Sequence, residues 1–201
     1  GASYANVRRY IKSGMTPPPA AVRIEEFLNY FTFNYDDPKD DNAIAINAEV
    51  GSCPWTPENR LIRLGIKGKS MKESELPDAN FVFLIDVSGS MNSSDKLDLL
   101  KSGLITLLDY LRPDDRISIV TYSGSVKKLL ESTPVRDSNK IRKAISKLTA
   151  SGSTAGGEAM EMAYKEALEN FIEGGNNRVI MGTDGDFNVG VTDTDALMEM
   201  V

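Results

Sequence analysis

Histidine does not occur in the 201 residues of this chain, and cysteine occurs once, as Cys53. Without histidine, a serine–histidine–aspartate triad, a histidine general base and a zinc site with histidine ligands are all excluded. A single cysteine cannot form a disulfide within the chain. We therefore predict that Cys53 serves as a small apolar residue of the interior. A single cysteine indicates neither an oxidising nor a reducing compartment for the protein.

An excess of basic residues and a long apolar run are also lacking. The chain has 23 Lys and Arg against 29 Asp and Glu, a net charge of −6, whereas a nucleic-acid partner would require clustered basic residues to meet its phosphates. No apolar run approaches the roughly 20 residues that span a bilayer, and the first ten residues contain no signal-peptide core. We predict no nucleic-acid partner and no membrane-spanning segment in this chain, although an export signal removed from the native protein is compatible with this start.

The most informative feature that is present is the segment 81–91, FVFLIDVSGSM. Five apolar residues lead directly into Asp86, which is the pattern of a strand buried on both faces. Ser88 and Ser90 follow at alternate positions, so an extended chain would point their hydroxyls and the Asp86 carboxylate the same way. The pattern predicts a group of oxygen donors at the end of a central strand.

The first part of the chain has the pattern of two helices. Apolar residues recur at helical spacing between residues 4 and 11, and Gly14 is placed to end that helix. Three prolines at 17–19 then enforce an extended break. A second helix is predicted from Ala20, and we expect its apolar stripe to pack in a core: Ile24, Phe27, Leu28 and Phe31.

Two strands are predicted next. Apolar residues alternate with other residues over 44–50 and again over 62–66, which indicates an antiparallel pair. The charged segment 69–80, which contains a proline, is the expected hinge. We therefore predict a smaller α+β region over residues 1–79 and a second region over residues 80–201.

Helices and strands alternate in the second region. Strand, helix and strand joined by right-handed crossovers build a doubly wound, mostly parallel sheet, so we predict an α/β fold. Lys127 and Lys128 suit an edge strand that must not pair with other chains. Helical stripes run over residues 97–111, 141–148 and 156–171, and strand patterns over 116–122, 125–132 and 177–183.

Ligands of such sheets bind beyond the carboxyl ends of the strands, where the winding reverses. The strand over 177–183 ends in a carboxylate, Asp184, as the central strand ends in Asp86. The loop 150–158, ASGSTAGGE, brings Thr154 between two helices. We predict that one crevice holds five oxygen-bearing side chains: Asp86, Ser88, Ser90, Thr154 and Asp184.

The motifs DVSGSM, GST and TDG, in this order and spacing, resemble the metal-ion-dependent adhesion site of von Willebrand factor A domains. The resemblance covers about residue 80 to the end of the chain. Upstream, the segments ASYANVRRYI and VRIEEFLNYF, and the PW before RLIRLGIKG, resemble the N-terminal region of a bacterial subgroup of these proteins. The resemblance implies that the C-terminal part of the fold, two strands and their helices, is missing from this chain.

The resemblance also implies a metal site and its use. Ser88, Ser90 and Thr154 would give hydroxyls directly to the ion, and Asp86 and Asp184 would act at least partly through bound water or hydrogen bonds. The expected ion is Mg²⁺, with Mn²⁺ or Ca²⁺ as alternatives, because hard cations prefer oxygen ligands. An Asp or Glu carboxylate of a protein partner would complete the coordination shell, which makes the chain a metal-dependent protein-binding module of the adhesion type.

The location implied by the resemblance is the cell envelope, because proteins of the bacterial subgroup tend to be exported or lipid-anchored. The sequence predicts no oligomeric state. It also does not disclose the partner.

Two other functions stay open at this point. A metal-dependent hydrolase or phosphatase would need a base directed at a metal-bound water. Haloacid dehalogenase-like phosphatases use the motif DxDxT. In this chain Ser88 stands at the position of their second carboxylate. A serine hydrolase would need GxSxG and a base, but Val87 precedes Ser88 and histidine is absent. The remaining alternative is a metal-free structural scaffold, and we favour the binding module over both.

Overall fold

The structure is a computed structural model, and it describes residues 2–39, 41–152 and 157–185. The chain divides into two compact units, one up to Glu73 and one from Ser74 onward. This boundary lies within the segment 69–80, where the sequence predicts a hinge. The assignment of residues 1–79 and 80–201 to separate regions stays a prediction.

The first helix of the first unit, α1, runs over Ala2–Lys12. It ends as the sequence predicts, because Gly14 adopts a left-handed φ of 71°. The amide of Met15 then donates to the Tyr10 carbonyl at 2.9 Å, and the Gly14 amide donates to the Ile11 carbonyl at 3.0 Å. These bonds satisfy carbonyls that the helix end would otherwise leave unpaired.

The second predicted helix is shorter than expected, and the expectation that its stripe packs in a core is wrong. A short 3₁₀ turn at Pro19–Ala21 is followed by an extended Val22 and Arg23, and the helix α2 covers only Ile24–Leu28. Ile24, Leu28 and Phe31 are exposed. A helix of five residues presents little surface. In the described part of this unit, the Tyr4 ring of α1 contacts Phe27 at 5.5 Å and Phe31 at 5.4 Å, both edge-on, and this leaves Ile24 and Leu28 uncovered.

The predicted strand pair is confirmed. Strands β1, Ile44–Ser52, and β2, Arg60–Gly68, form a two-stranded antiparallel sheet. The ring of Tyr35 covers Gly65 on one side of this sheet, where a Cβ atom would lie 2.3 Å from the ring. Cys53, just after β1, is buried as predicted.

The other side of the two-stranded sheet carries the alternating apolar residues, and it is exposed. Ile46 faces Ile66 across the strands, Ala48 faces Leu64, and Val50 faces Ile62. Together with Ile44, the large side chains of this side number six, and they are between 54% and 69% exposed. We call this surface the apolar sheet face, and its members are Ile44, Ile46, Ala48, Val50, Ile62, Leu64 and Ile66.

The second unit has the α/β fold that the sequence predicts. Its four strands are ordered β5-β4-β3-β6, with β3 parallel to β4 and β6, and with β5 antiparallel at the edge. The strands are β3, Ala79–Asp86, β4, Arg116–Tyr122, β5, Val126–Pro134, and β6, Asn176–Gly182.

Helices cover both faces of this sheet. They are α3, Leu97–Leu107, α4, Ser138–Ser146, and α5, Gly157–Glu169. Phe83 and Ile85 of β3 pack with α3 and α4 on one face, while Val82 and Leu84 pack with α5 on the other. Full burial of each such side chain contributes about 1.5–3 kcal/mol, which explains why this strand reads as an uninterrupted apolar run.

The winding of the chain reverses at β3. From β3 the chain crosses to β4 on one side, and β6 later pairs on the other side of β3. The carboxyl ends of β3 and β6 therefore meet at one edge of the sheet, which is where ligands bind in doubly wound folds.

Candidate metal site at the carboxyl edge of the sheet

Asp86 is the last residue of β3 and is fully buried. Its Oδ1 accepts a hydrogen bond from the Ser88 amide at 2.8 Å. Its Oδ2 is also buried, and no donor in the described parts of the chain reaches it with hydrogen-bond geometry. A buried carboxylate oxygen in this state is destabilising unless a cation or a water satisfies it.

Ser88 and Ser90 lie beside each other, as the sequence predicts. Their hydroxyl oxygens are 3.1 Å apart, on a turn that continues as a 3₁₀ helix over Gly89–Met91. Ser88 is buried and Ser90 is exposed, whereas the buried side chain of Met91 holds the turn to the core. The pair of hydroxyls therefore spans from the interior to the surface.

Asp184 follows the end of β6, and its side chain is only 6% exposed. The ammonium of Lys96 lies 2.7 Å from its Oδ2. The same ammonium donates to the backbone carbonyl of Ser90 at 2.9 Å. Lys96, at the start of α3, thus joins the loop after β3 to the loop after β6.

Thr154, the fifth predicted residue, lies outside the described residues. The loop that leads to it is described up to Gly152, and it is held against the site. The Gly89 amide donates to the Gly152 carbonyl at 2.9 Å, and the Ser151 amide donates to the Val87 carbonyl at 2.7 Å. The position of the Thr154 hydroxyl stays a prediction.

Tyr122, the last residue of β4, lies at this edge but was not among the residues predicted from the sequence. It is buried, and the carboxylates of Asp86 and Asp184 lie close enough to influence its titration. Burial raises the pKa of Tyr122 to about 12, and a hydrogen bond with Thr183 opposes the rise. The charge of Asp86, the contact of the phenol with the Asp86 carboxylate, and the charge of Asp184 add to it. The phenol is therefore neutral in the physiological range.

Lys96 was missed as well, because a lysine at a helix start is usually solvated. A signal was nevertheless available: Lys96 begins the helix that follows the Asp86 strand, so it had to lie near the same edge of the sheet. Tyr122 carried a similar signal, since the parallel register places it beside Asp86.

The carboxyl edge differs from metal sites built of carboxylates and thiols alone. Within residues 2–39, 41–152 and 157–185, no group of three or more Asp, Glu or Cys residues is arranged to hold a metal ion. The edge instead presents two carboxylates together with neutral hydroxyls. Hard cations such as Mg²⁺ accept such mixed oxygen ligands and retain several waters.

The chain matches two family models. Residues 81–186 match the von Willebrand factor type A domain, which is just over half of the chain, and residues 1–63 match a second model described as von Willebrand factor. The chain belongs to the von Willebrand factor A (VWA) family. As a VWA protein, it shares the α/β fold with a central, mostly parallel sheet with that family.

Relatives show how far this similarity extends. The protein YfbK of Escherichia coli (strain K12) is 44% identical over 207 aligned positions, which cover 99% of this chain and 36% of YfbK. The inter-alpha-trypsin inhibitor heavy chain H4 of Homo sapiens is 32% identical over 130 positions, which cover 61% of this chain and 14% of that protein. The chain therefore spans about a third or less of the length of these relatives.

A solved structure, the SpRpn10 VWA domain, aligns with a TM-score of 0.46 and 19% identity, over 61% of this chain and 66% of that one. Its likeness concerns the fold alone. The VWA-domain relatives suggest that this chain is a protein-interaction module. Among the described residues, every helix is too short or too polar to cross a membrane.

Proposed function

We propose that this VWA protein binds a divalent cation at the carboxyl edge of its sheet and uses it to capture a carboxylate of a protein partner. The ion is Mg²⁺, with Mn²⁺ or Ca²⁺ as alternatives. The residues that hold it are, on this proposal, Asp86, Ser88, Ser90, Thr154 and Asp184.

The observation that carries the proposal is the buried Oδ2 of Asp86, which receives no well-formed hydrogen bond from the described residues, although the Tyr122 phenol lies near that carboxylate. Buried polar atoms of native proteins are nearly always satisfied. The two hydroxyls of Ser88 and Ser90, 3.1 Å apart, lie two and four residues further along the same loop. Together they form a set of oxygens of the kind that hard cations bind.

The charges at the edge favour an acidic partner. The Ser88 and Ser90 hydroxyls are neutral, and the charge of Asp184 is already shared with the Lys96 ammonium. The side chains therefore compensate a divalent charge incompletely. A cation bound there would offer an Asp or Glu side chain of a partner a strong attraction in poorly screened surroundings. Ser90 is exposed, so a partner can approach from its side.

A hydrolase or phosphatase is less well supported. It would need a base directed at a water molecule of the site. Asp184 is the available candidate, but its Oδ2 already accepts a hydrogen bond from the Lys96 ammonium at 2.7 Å. Tyr122 stays protonated, because its pKa is about 12.

Calorimetry with Mg²⁺ and Mn²⁺ tests the metal site. We compare the wild type with the double variant Asp86→Ala/Ser88→Ala and with the control Asp109→Ala/Ser146→Ala, in which Asp109 pairs with Arg142 on the surface and Ser146 donates to a helix carbonyl. We expect one ion per chain in the wild type and in the control, and none in the site variant. Absence of binding in the wild type, or equal binding in the site variant, refutes the proposal.

Carboxylate capture is tested with acetate as the probe. Acetate added to the Mn²⁺-loaded protein should displace bound water and lower the relaxation enhancement of the water protons. An unchanged relaxation enhancement would mean that the bound metal does not take up acetate, and it would refute the proposed carboxylate capture. Phosphate and carboxylate ester substrates are tested in parallel, and turnover that requires the metal would replace the binding module with an enzyme.

The cell envelope is the location that we propose, on the family resemblance alone. Fractionation of cells that produce the natural full-length protein tests it. Recovery in the cytosolic fraction would contradict it.

A further inference from the structure

Lys96 contacts both sides of the candidate metal site. Its ammonium lies 2.7 Å from Asp184 Oδ2 and 2.9 Å from the Ser90 carbonyl oxygen. Asp184 is almost fully buried, whereas Lys96 is 37% exposed. The positive charge of Lys96 thus contacts Asp184, a carboxylate that belongs to the proposed set of metal ligands.

The position of this ammonium sets the charge of the site. Asp86, Asp184 and Lys96 together carry one net negative charge, which a divalent cation would convert into one net positive charge. Without the lysine, the same cation would leave the site neutral. Like charges within a few ångströms repel strongly where water is scarce, so Lys96 opposes the cation and favours an incoming carboxylate.

We infer that Lys96 is a tethered counter-charge that keeps metal affinity moderate and makes the loaded site selective for anionic partners. This inference rests on the proposed function. It assigns to Lys96 a role that a surface ion pair would not have, namely opposite effects on two ligands. Its removal should strengthen binding of the cation and weaken binding of the carboxylate.

The first experiment measures Mn²⁺ affinity by calorimetry for the wild type and Lys96→Met, which retains most of the aliphatic stem. We expect Lys96→Met to bind Mn²⁺ about tenfold more tightly or better, because one like charge is removed from beside the ion. Lys96→Arg keeps the charge, so its Mn²⁺ affinity should stay within about threefold of the wild-type value. A difference of that size is too small to reflect the loss of a full charge.

Lys165→Met is the matched control. Lys165 also lies in an ion pair, 3.9 Å from Glu169 on the same helix, but on the surface. It is near Ala167, whose carbonyl accepts from Asn80 at the opposite end of β3. At about 3.3 Å per residue, that end is roughly 20 Å from Asp86. The control therefore removes the same charge from the protein without removing it from the site.

The second experiment uses thermal unfolding, with and without metal. In EDTA, Lys96→Met should unfold at a lower temperature than the wild type, because Asp184 then lacks its counter-charge. A saturating concentration of Mn²⁺ should raise the midpoint of Lys96→Met by more than that of the wild type, since tighter binding stabilises the folded state more. A lysine with a structural role only would lower both midpoints equally.

The third measurement adds acetate to the Mn²⁺-loaded variants and follows water-proton relaxation. The acetate concentration for half of the effect should rise several-fold in Lys96→Met and stay unchanged in Lys165→Met.

The outcomes separate the inference from the proposed function. If the wild type binds no Mn²⁺, the proposed function fails and the inference falls with it. If the wild type binds Mn²⁺ and the Asp86→Ala/Ser88→Ala variant does not, the site stands. Equal Mn²⁺ affinity of wild type and Lys96→Met then overturns the inference alone, as does weaker binding in Lys96→Met.

Discussion

Asp86 ends strand β3, whereas Asp115 lies just before β4 and accepts a hydrogen bond from Ala79 at the start of β3. Both aspartates are buried, but their surroundings differ. Asp115 has donors at both oxygens: the Ala79 amide and the Arg112 guanidinium at Oδ1, and the Arg112 amide at Oδ2, each at 2.8 Å. Asp86 has one amide at Oδ1, and no well-formed hydrogen bond from the described residues reaches its Oδ2. One carboxylate has both oxygens in a hydrogen-bond network, whereas the other has one oxygen outside such a network.

Glu166 of α5 is a second carboxylate of the structural kind. Its Oε1 accepts from the Ser118 hydroxyl, the Ser132 amide and the Asn170 amide group, and the Lys128 ammonium lies on Oε2. Burial alone would raise the pKa of Glu166, but the contacts with Lys128, Ser118 and Ser132 lower it overall. Buried charge is thus tolerated in this unit where donors surround it, and Asp86 is the exception that needs another explanation.

The largest effect is expected for Asp115→Asn. The side chain of Asn has one oxygen and one NH₂ group in place of the two carboxylate oxygens of Asp115. The NH₂ group would therefore face a buried N–H donor that now binds a carboxylate oxygen. We expect a loss of about 3 kcal/mol in the free energy of unfolding, measured by urea denaturation. A loss below about 1 kcal/mol, the size of an ordinary hydrogen bond, would break the comparison.

Glu166→Gln is expected to have the next largest effect, about 2 kcal/mol at neutral pH, because the Lys128 ammonium loses its buried partner. The sign of the pH dependence follows from the lowered pKa of Glu166. A carboxylate with a lowered pKa stabilises the fold above the ordinary value and loses this contribution as the pH falls through its folded value. The difference between variant and wild type should therefore shrink below the ordinary value of 4.5. Denaturation curves at several acidic pH values check this, and a constant difference would contradict it.

Asp86→Asn matches Asp115→Asn in chemistry and should act in the opposite direction. In EDTA we expect an unchanged or higher free energy of unfolding, by up to about 1 kcal/mol, because a buried charge with one donor is neutralised. Binding of Mn²⁺ should be lost in the same variant. A loss of stability as large as that of Asp115→Asn would show that both carboxylates are structural.

The smallest effect is expected for Tyr122→Phe, which should change stability by less than about 1 kcal/mol at neutral pH. The raised pKa of about 12 means that the folded protein keeps the phenol proton where the unfolded chain, with its ordinary value of 10.0, releases it. The fold then loses stability as the pH rises through this window. Over the same pH range, the free energy of unfolding of Tyr122→Phe should fall less than that of the wild type. Denaturation at alkaline pH measures this, and equal falls in both proteins would contradict the assigned pKa.

The second unit was the more predictable part of the chain. An apolar run that meets neighbours on both faces leaves little choice of structure, so β3, its parallel partners and the convergence of Asp86, Ser88 and Ser90 followed from the pattern. The strand order, which places β6 beside β3, brings Asp184 to the same edge. Thr154 stays predicted only.

Other features could not be obtained from local patterns. The stripe that contains Ile24 and Leu28 shows which side of a helix is apolar, but it does not show whether a partner covers that side, and here both residues are exposed. Lys128 looked like a solvated residue of an edge strand. Its partner Glu166 lies 38 positions away, as read from the sequence, and only the packing of α5 against the sheet reveals the pair.

The apolar sheet face has a consequence for work with this protein in solution. Six aliphatic side chains, each more than half exposed, lie on one face of the two-stranded sheet, and exposed apolar surfaces of this kind favour self-association. Sulfate and phosphate strengthen hydrophobic contacts, so these salts should precipitate the protein at low concentrations. Dilute preparations in chloride buffers, at a pH above the isoelectric point near 4.8, keep the chains negatively charged and mutually repelling.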